Sequence, residues 1–231
     1  MTIIARCHPA LEPILPRPVP AADALPDWFR TMPATQAAES MGGEVVRTLK
    51  HCPPLIDALS LGLLIPLAAD LTVAGGEVAW DWSPPILEDA DISRAPVGVH
   101  VPEQAAGSPV EAPGRLILKF MNFWTLEAPA GSSLLFTHPL NRPDLPFQTL
   151  SGVVDGDLFR DGYVHFPAVL DPAFEGVIPA GTPVAQVVPL PQGRESSLQI
   201  QPMSAEEVAR NRAIQTALGA ETGVYRKHYR R

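Results

Sequence analysis

RLILKFMNFWTLEAP (residues 115–129) is the first of five short apolar segments that are separated by turn residues and that decide the fold of this chain. The other four are AGSSLLFTHP (130–139), QTLSGVVDGD (148–157), GYVHFPAVL (162–170) and FEGVIPAGTPVAQVVPL (174–190). Apolar runs of about four to eight residues bounded by Gly, Pro, Asp and Ser are typical of strands joined by turns. The sequence therefore predicts a mainly β body.

Outside this stretch the chain leaves little room for helices. Its 231 residues include 27 prolines and 17 glycines, and proline lacks the amide donor that a helix interior or a central strand requires. Gly75-Gly76 predicts a hairpin turn between strands at 65–73 and 78–82. One long helix is expected at 205–218, because the pattern Ser204-x-x-Glu207 forms a capping box at its start.

The composition excludes several functional classes. Hydrophobic residues make up 46% and charged residues 18%, so the chain is expected to fold. A net charge of −8 disfavours binding to nucleic acid or to an anionic membrane. No secretory segment and no run of about 18 apolar residues is present, so a cytoplasmic protein is expected. Cys7 and Cys52 are then expected to be free thiols.

Three regions are predicted along the chain. Residues 1–40 are a Pro-rich arm that wraps around the body, with Trp28 and Phe29 as apolar anchors. Residues 41–200 form a single β body. Residues 201–231 hold the C-terminal helix and the basic tail YRKHYRR. The arm could also complete a neighbouring subunit, so a homo-oligomer is one expected assembly.

The loop THPLNRPDLPF is the densest cluster of candidate functional residues. It carries His138, Asn141 and Arg142 between prolines that restrict the backbone. A guanidinium held in this way loses little entropy when it binds a carboxylate or a phosphate. The alternative is a structural turn in which Arg142 pairs with Asp144 or Asp155.

The segment SGVVDGDLFRDG contains a second cluster, with Asp155 and Asp157 at the end of an apolar run. Two carboxylates at a strand end could coordinate Mg²⁺ or orient a water molecule, because hard cations prefer oxygen ligands. The alternative is a turn in which the aspartates bond to the backbone.

The histidines allow one further metal hypothesis. None of the six lies in an HxH or HxxxH motif, and the chain has no CxxC motif. His138 and His165 on separate strands could still join one carboxylate in a facial triad for iron. The enzyme would then be a cupin-like, non-haem metal enzyme.

Two resemblances to known families follow from these segments. The segments KHCPPLIDALSLGLLIPL, FTHPLNRPDLPF and FEGVIPAGTPVAQVVP occur in the same order in a bacterial and phage family with a domain of unknown function, to which most of this chain is similar. The stretch 128–188 resembles the dUTPase and dCTP deaminase group of β-clip proteins. The segments that carry this second likeness are PAGSSLLF (129–136), GVVDGD (152–157) and AGTPVAQVV (180–188).

The β-clip resemblance implies a trimer with sites between its subunits. It aligns Asp155 with the carboxylate that contacts the sugar and orients the attacking water in that group. Gln186 matches a glutamine whose role there is largely structural. The chain departs from the group where an Arg-Ser-Gly phosphate loop is expected, since 137–142 reads THPLNR. A helix and YRKHYRR also replace the glycine-rich arginine tail, so the resemblance implies the scaffold more than triphosphate hydrolysis.

The resemblance and the candidate residues together predict a β-clip body that binds a small anionic molecule. Such a protein could also hydrolyse a nucleotide-related substrate. Arg142 would bind the anion, His138 and Asn141 would orient it, and Asp155 would act as general base. Asp157 would support the turn or a divalent metal cofactor. The alternatives are the cupin-like metal enzyme and a non-catalytic protein that serves structure or oligomerisation.

Overall fold

The computed structural model describes residues 1–111, 117–193, 197–221 and 223–230. The chain divides into two compact units, which we call the body (Met1–Pro33 with Leu55–Gln192) and the tail unit (Ala34–Pro54 with Gly193–Arg231). Residues 115 and 116 of the first predicted strand segment, and Arg231 of the basic tail, lie outside the described residues.

Short strands dominate the described residues, which confirms the prediction of a mainly β protein. The strands are β1 (Ile4–Arg6), β2 (Val19–Pro20), β3 (Thr35–Ala38), β4 (Glu44–Arg47), β5 (Leu63–Pro66), β6 (Leu71–Ala74), β7 (Glu77–Ala79), β8 (Val97–Val99), β9 (Ile117–Phe120), β10 (Thr125–Glu127), β11 (Ser132–Thr137), β12 (Phe147–Thr149), β13 (Gly152–Val154), β14 (Phe166–Leu170), β15 (Gly176–Ile178) and β16 (Pro183–Pro191). The helices are α1 (Asp27–Thr31), α2 (Pro53–Leu59), α3 (Ala205–Ala220) and α4 (Val224–His228).

The body contains two main antiparallel sheets. The larger has the strand order β13-β11-β16-β5-β2, and the second has the order β12-β14-β9-β8. Two smaller groups, β15-β6-β7 and β1-β10, complete it. Strand β16 lies between β11 and β5, and residues 184–188 are buried without interruption. The apolar run in this segment thus belongs to a central strand that is covered on both faces.

Aromatic side chains join the two main sheets. The rings of Phe136 on β11 and Phe166 on β14 have centroids 5.5 Å apart between the two sheets, and within the second sheet Phe120 and Phe147 are edge to face at 4.8 Å. Along β14 the buried residues alternate with half-buried ones, as the period of two requires. The two sheets therefore pack face to face around a shared apolar core, and a smaller cluster forms around Leu11 and Trp124.

The buried side-chain amide of Gln186 connects three segments of the body. Its Oε1 accepts a hydrogen bond from the Leu140 N–H (2.7 Å), and its Nε2 donates to the carbonyls of Ala58 (3.0 Å) and Leu61 (2.6 Å). The residue is 1% exposed and lies on β16. Both amide donors and the carbonyl are in use, so one side chain holds the loop after β11 and the chain end of α2 against the central strand.

Part of the predicted strand pattern needs correction. The strand expected at 65–73 is two strands, β5 and β6, which end and begin on either side of 67–70. Asp70 in that connection accepts a hydrogen bond from the Ala180 N–H at 2.6 Å. The hairpin turn at Gly75-Gly76 is confirmed between β6 and β7, but β7 ends at Ala79 rather than at residue 82.

The predicted arm at 1–40 is divided between the two units. Its first 33 residues belong to the body, where β1 pairs with β10 and β2 pairs with β5. Leu11 and Ala21 are completely buried, and Phe29 is 7% exposed. The sequence does not predict this burial, because the buried apolar residues are irregularly spaced and follow no period.

The tail unit consists of the β3–β4 hairpin and the C-terminal helices. The predicted helix is confirmed, since α3 begins with both hydrogen bonds of the capping box: Glu207 N–H to Ser204 Oγ and Ser204 N–H to Glu207 Oε2. It runs through Gly219 to Ala220 instead of ending before that glycine. In the described ranges, no helix has the length and apolar composition to cross a bilayer.

Replacement of Gln186 tests its role as the connector. We expect Gln186→Leu to lower the free energy of unfolding by about 3 kcal/mol or more, because it leaves one buried N–H and two carbonyls without this partner. The same replacement at Gln148, which is exposed on β12, is the control and should change it by less than about 0.5 kcal/mol. Urea unfolding measures both, and equal effects at the two positions would contradict the assignment.

Candidate functional site

His138 is locked inside the loop that joins β11 to β12. The Thr149 N–H donates to its Nδ1 (3.2 Å), and its Nε2 lies 3.0 Å from the carbonyl oxygen of Arg142. Since a backbone N–H can only donate, Nδ1 is the acceptor and the ring proton lies on Nε2, from which it donates to Arg142. The ring also meets Phe147 edge to face at 5.9 Å. His138 is thus engaged in shaping the loop rather than presented to a ligand.

The histidine is held in its neutral form. Burial lowers the pKa of His138, and the charge of Arg142 acts in the same direction, against the hydrogen bond to the Arg142 carbonyl and the charge of Asp144. Protonation would place a hydrogen on Nδ1, where the Thr149 N–H already points. The lowered pKa therefore favours the neutral ring, and the hydrogen bonds place its proton on Nε2.

Arg142 forms an ion pair with Asp144. Its Nε donates to Asp144 Oδ1 at 2.9 Å and its Nη2 donates to Oδ2 at 2.9 Å, which is a bidentate pair. The arginine side chain is only 14% exposed, whereas that of Asp144 is 42% exposed. Burial raises the pKa of Asp144, but the hydrogen bonds and charge of Arg142 outweigh it and the net pKa is lowered. Of the partners expected in the structural alternative, Asp144 is the one observed.

Asn141 serves the backbone of the loop. Its φ is +56°, and it is the one non-glycine residue with positive φ in the described ranges. Asparagine tolerates this left-handed conformation better than most residues. The side chain is exposed and has no hydrogen bond to His138 or Arg142. The predicted role in orienting a ligand therefore has no contact to support it.

Asp155 and Asp157 lie at the opposite end of β11 from this loop. The Ser133 hydroxyl donates to Asp155 Oδ1 at 2.8 Å. Asp157 Oδ2 accepts from the Gly131 N–H at 3.0 Å and from Gln192 Nε2 at 2.8 Å. These bonds tie the turn that follows β13 to the start of β11 and to the end of β16, which is a structural role for both aspartates.

Within one chain, the structure does not bring the residues of the predicted site at 138–157 together. Ser133 and His138 are separated by five residues of extended chain, which corresponds to about 17 Å. Asp155 accepts its hydrogen bond from Ser133 at one end of β11, whereas Arg142 follows His138 at the other end. Strand β11 thus separates the predicted general base from the predicted anion-binding group.

The structure also does not assemble the alternative iron site. His165 Nδ1 accepts a hydrogen bond from the Asn122 N–H at 3.1 Å, and both ring nitrogens of His138 have backbone partners. Among the described residues, no group of three or more His, Cys, Asp or Glu side chains is placed to hold a metal ion. Burial lowers the pKa of His165, as it does for His138.

Arg142 lines a cleft that also receives a second arginine from a distant part of the chain. The cleft has a volume of about 370 Å³ and is formed by β2, the segment that leads into α1, β5, the loop after β11 and the start of β16. Arg30 on α1 is the second guanidinium, and Asp27 on the same helix is the carboxylate among the lining residues. Asp27 accepts a hydrogen bond from Arg30.

Sequence reasoning missed Arg30 and Asp27. They lie in the predicted arm, in which the apolar side chains of Trp28 and Phe29 are the expected anchors. The spacing of Asp27 and Arg30 at i and i+3 on a helix start was the available signal for an ion pair. No local pattern indicates that Arg30 and Arg142 line one cleft, because 112 residues separate them and only the pairing of β2, β5, β16 and β11 brings their segments together.

A second hollow of about 670 Å³ is a weaker candidate. Arg6, Cys7 and Glu12 are among its lining residues. Arg6 donates to Glu127 at 2.6 Å, and Arg17 donates to Glu12. Burial and the charge of Glu12 raise the pKa of the Cys7 thiol, which disfavours the reactive thiolate. We therefore take the cleft between Arg30 and Arg142 as the candidate site and call it the arginine cleft.

A scan against protein-family models finds no match for this chain, and a search of curated proteins finds no relative.

The buried histidines make stability depend on pH. The folded state holds His138 and His165 with pKa values below the ordinary 6.5, so the unfolded chain binds more protons at acid pH. Their contribution is present above pH of about 6.5 and is lost as the pH falls towards the folded-state values. We expect His138→Gln to reduce the loss of unfolding free energy between pH 7.5 and 5.

Urea unfolding at a series of pH values measures this slope. The replacement His51→Gln, at an exposed position of the tail unit, is the control and should leave the slope as it is in the wild type. If both variants have the wild-type slope, His138 does not contribute to the pH dependence and the assignment fails.

Proposed function

We propose that this chain is a binding protein for small anionic molecules and that the arginine cleft holds the ligand. The observation that carries the proposal is the convergence of two guanidinium groups, from α1 and from the loop after β11, on one concave site. Clefts of about 300–1,000 Å³ with a few convergent polar groups are the usual form of a small-molecule site. At about 370 Å³ the arginine cleft is at the lower end of this range.

Arg142 is suited to recognise an anion because its plane is already fixed. The pair with Asp144 engages Nε and Nη2, and Nη1 has no hydrogen-bond acceptor among the described residues. Only 14% of the side chain is exposed, so little conformational entropy remains to be lost on binding. A fixed guanidinium with unused N–H groups can donate to a carboxylate, sulfate or phosphate oxygen.

The β-clip architecture is part of this proposal. The three segments of the resemblance correspond to β11, β13 and β16, which are hydrogen-bonded neighbours in the order β13-β11-β16. That arrangement supports a shared scaffold. The separation of Asp155 from Arg142 along β11 favours ligand binding over nucleotide hydrolysis within one chain. A trimeric assembly and a cytoplasmic location stay predictions.

Calorimetric titration tests the proposal with three probes: sodium sulfate, sodium hexanoate and dUMP. The informative variant is the double replacement Arg142→Gln with Asp144→Asn, which removes the guanidinium without changing the net charge of the chain. We expect at least one probe to bind the wild type and to bind this variant about tenfold or more weakly, because a hydrogen bond to a charged group contributes about 1.5–3 kcal/mol.

The chain offers a matched control in the exposed pair Arg160 and Asp161, whose Nε and Oδ2 lie 3.6 Å apart. Arg160→Gln with Asp161→Asn makes the same chemical change on the same charge balance and should leave binding unchanged. Absence of binding by all three probes, or equal weakening in the two double variants, would overturn the proposal.

A further inference from the structure

We infer that the ligand of the arginine cleft is a small organic acid that combines a single negative charge with an apolar chain or ring. This inference rests on the proposed function and narrows it. It separates the cleft from sites for nucleotides and inorganic polyanions. Three features of the cleft carry it: the pairing of its charges, the composition of its walls and its size.

The two guanidinium groups are each already paired with a carboxylate. Arg142 is bound by Asp144 in a bidentate pair, and Arg30 donates to Asp27. Two cations and two carboxylates leave the immediate surroundings of the cleft with no net positive charge. A nucleoside triphosphate or pyrophosphate carries several negative charges and would meet Asp27, a lining residue, at close range. Like-charge contacts of this kind select against polyanions, whereas one carboxylate needs only the unused N–H donors of Arg142.

Most of the remaining wall is apolar. Four segments contribute it, with Val19, Leu25, Pro26, Leu64, Pro66 and Pro183 as the main side chains. Leu64 is 6% exposed and Pro26 is buried. These residues offer no hydrogen-bond donors to ribose hydroxyls or to the edge of a base. They do favour the transfer of hydrocarbon from water.

The size of the cleft sets an upper limit on the ligand. A volume of about 370 Å³ is close to the smallest that ligand sites commonly have. The guanidinium donors come from α1 and from the loop after β11, whereas most of the apolar residues come from β2, β5 and the start of β16, so a ligand with one charged and one apolar end matches both. A short alkyl or aryl carboxylate has this form.

The test is a calorimetric series with acetate, butanoate and hexanoate at constant ionic strength, with sulfate and dUMP as comparison anions. We expect the affinity to rise about threefold to fourfold for each added methylene that enters the cleft, as burial of a CH₂ group predicts. Hexanoate should bind more tightly than sulfate or dUMP. The full-length wild-type chain is used throughout.

Two variants separate the apolar wall from the charges. Leu25→Asn keeps the branched shape of the side chain and both arginines but places a polar group on the wall, so the increment per methylene should decrease. Leu158→Asn makes the same change at a leucine that is 79% exposed outside the cleft, and should leave the series unchanged. Asp27→Asn removes the repelling carboxylate and should strengthen sulfate binding about fivefold relative to hexanoate, which is the scale of one charge pair near a surface.

The possible failures of the two proposals are distinct. If sulfate or dUMP binds more tightly than hexanoate and the binding still depends on Arg142, the proposed function stands and this inference is overturned. A carboxylate series without any dependence on chain length overturns it as well. If no anion binds the wild type, both fail.

Discussion

The hydrogen bonds of the Gln186 side chain are the constraint on which the candidate site depends. An amide that is 1% exposed must use its donors and its acceptor, because each buried polar group without a partner costs about 1–3 kcal/mol. Gln186 meets this requirement by binding the backbone at Leu140, Ala58 and Leu61. The loop after β11 therefore has one favourable position relative to β16, and Arg142 lies two residues beyond the anchored Leu140.

A second set of contacts fixes the position of Arg142 within this loop. His138, at the start of the loop, accepts from the Thr149 N–H on β12 and donates to the Arg142 carbonyl in the middle of the loop. Thr149 is itself fixed, since its hydroxyl donates to the Val184 carbonyl on β16 at 2.6 Å. Backbone and side chain of Arg142 are thus positioned by different partners, His138 for the first and Asp144 for the second. A neutral histidine is well suited to this task because it adds no charge beside the arginine.

The sequence predicts the fold class and individual ion pairs better than the site. Strand content, the turn at Gly75-Gly76 and the capped helix α3 depend on neighbours in the chain, and local patterns identify them. The sequence also predicts Asp144 as one of two partners for Arg142, because the two residues are only two positions apart. The cleft is different in kind, because Arg30 and Arg142 come to line it only through the pairing of β2, β5, β16 and β11. The inclusion of 1–33 in the body was missed for the same reason: a short Pro-rich segment has no period, and its buried residues are identified only by what covers them.

Why the cleft should bind an anion at all in a chain of net charge −8 follows from the distances involved. The repulsion between the net charge of the protein and an anion is a long-range effect. At physiological ionic strength dissolved salt screens most of it beyond about 8 Å. The guanidinium N–H groups act at hydrogen-bond distance, where solvent ions do not intervene. The carboxylates beside the two arginines then decide which anions the cleft favours. By neutralising each cation locally they remove the attraction that would draw in any anion, and they leave recognition to oriented donors and apolar contact. A cleft built in this way gives up affinity for highly charged ligands and selects an anion by its shape and by the hydrocarbon it carries.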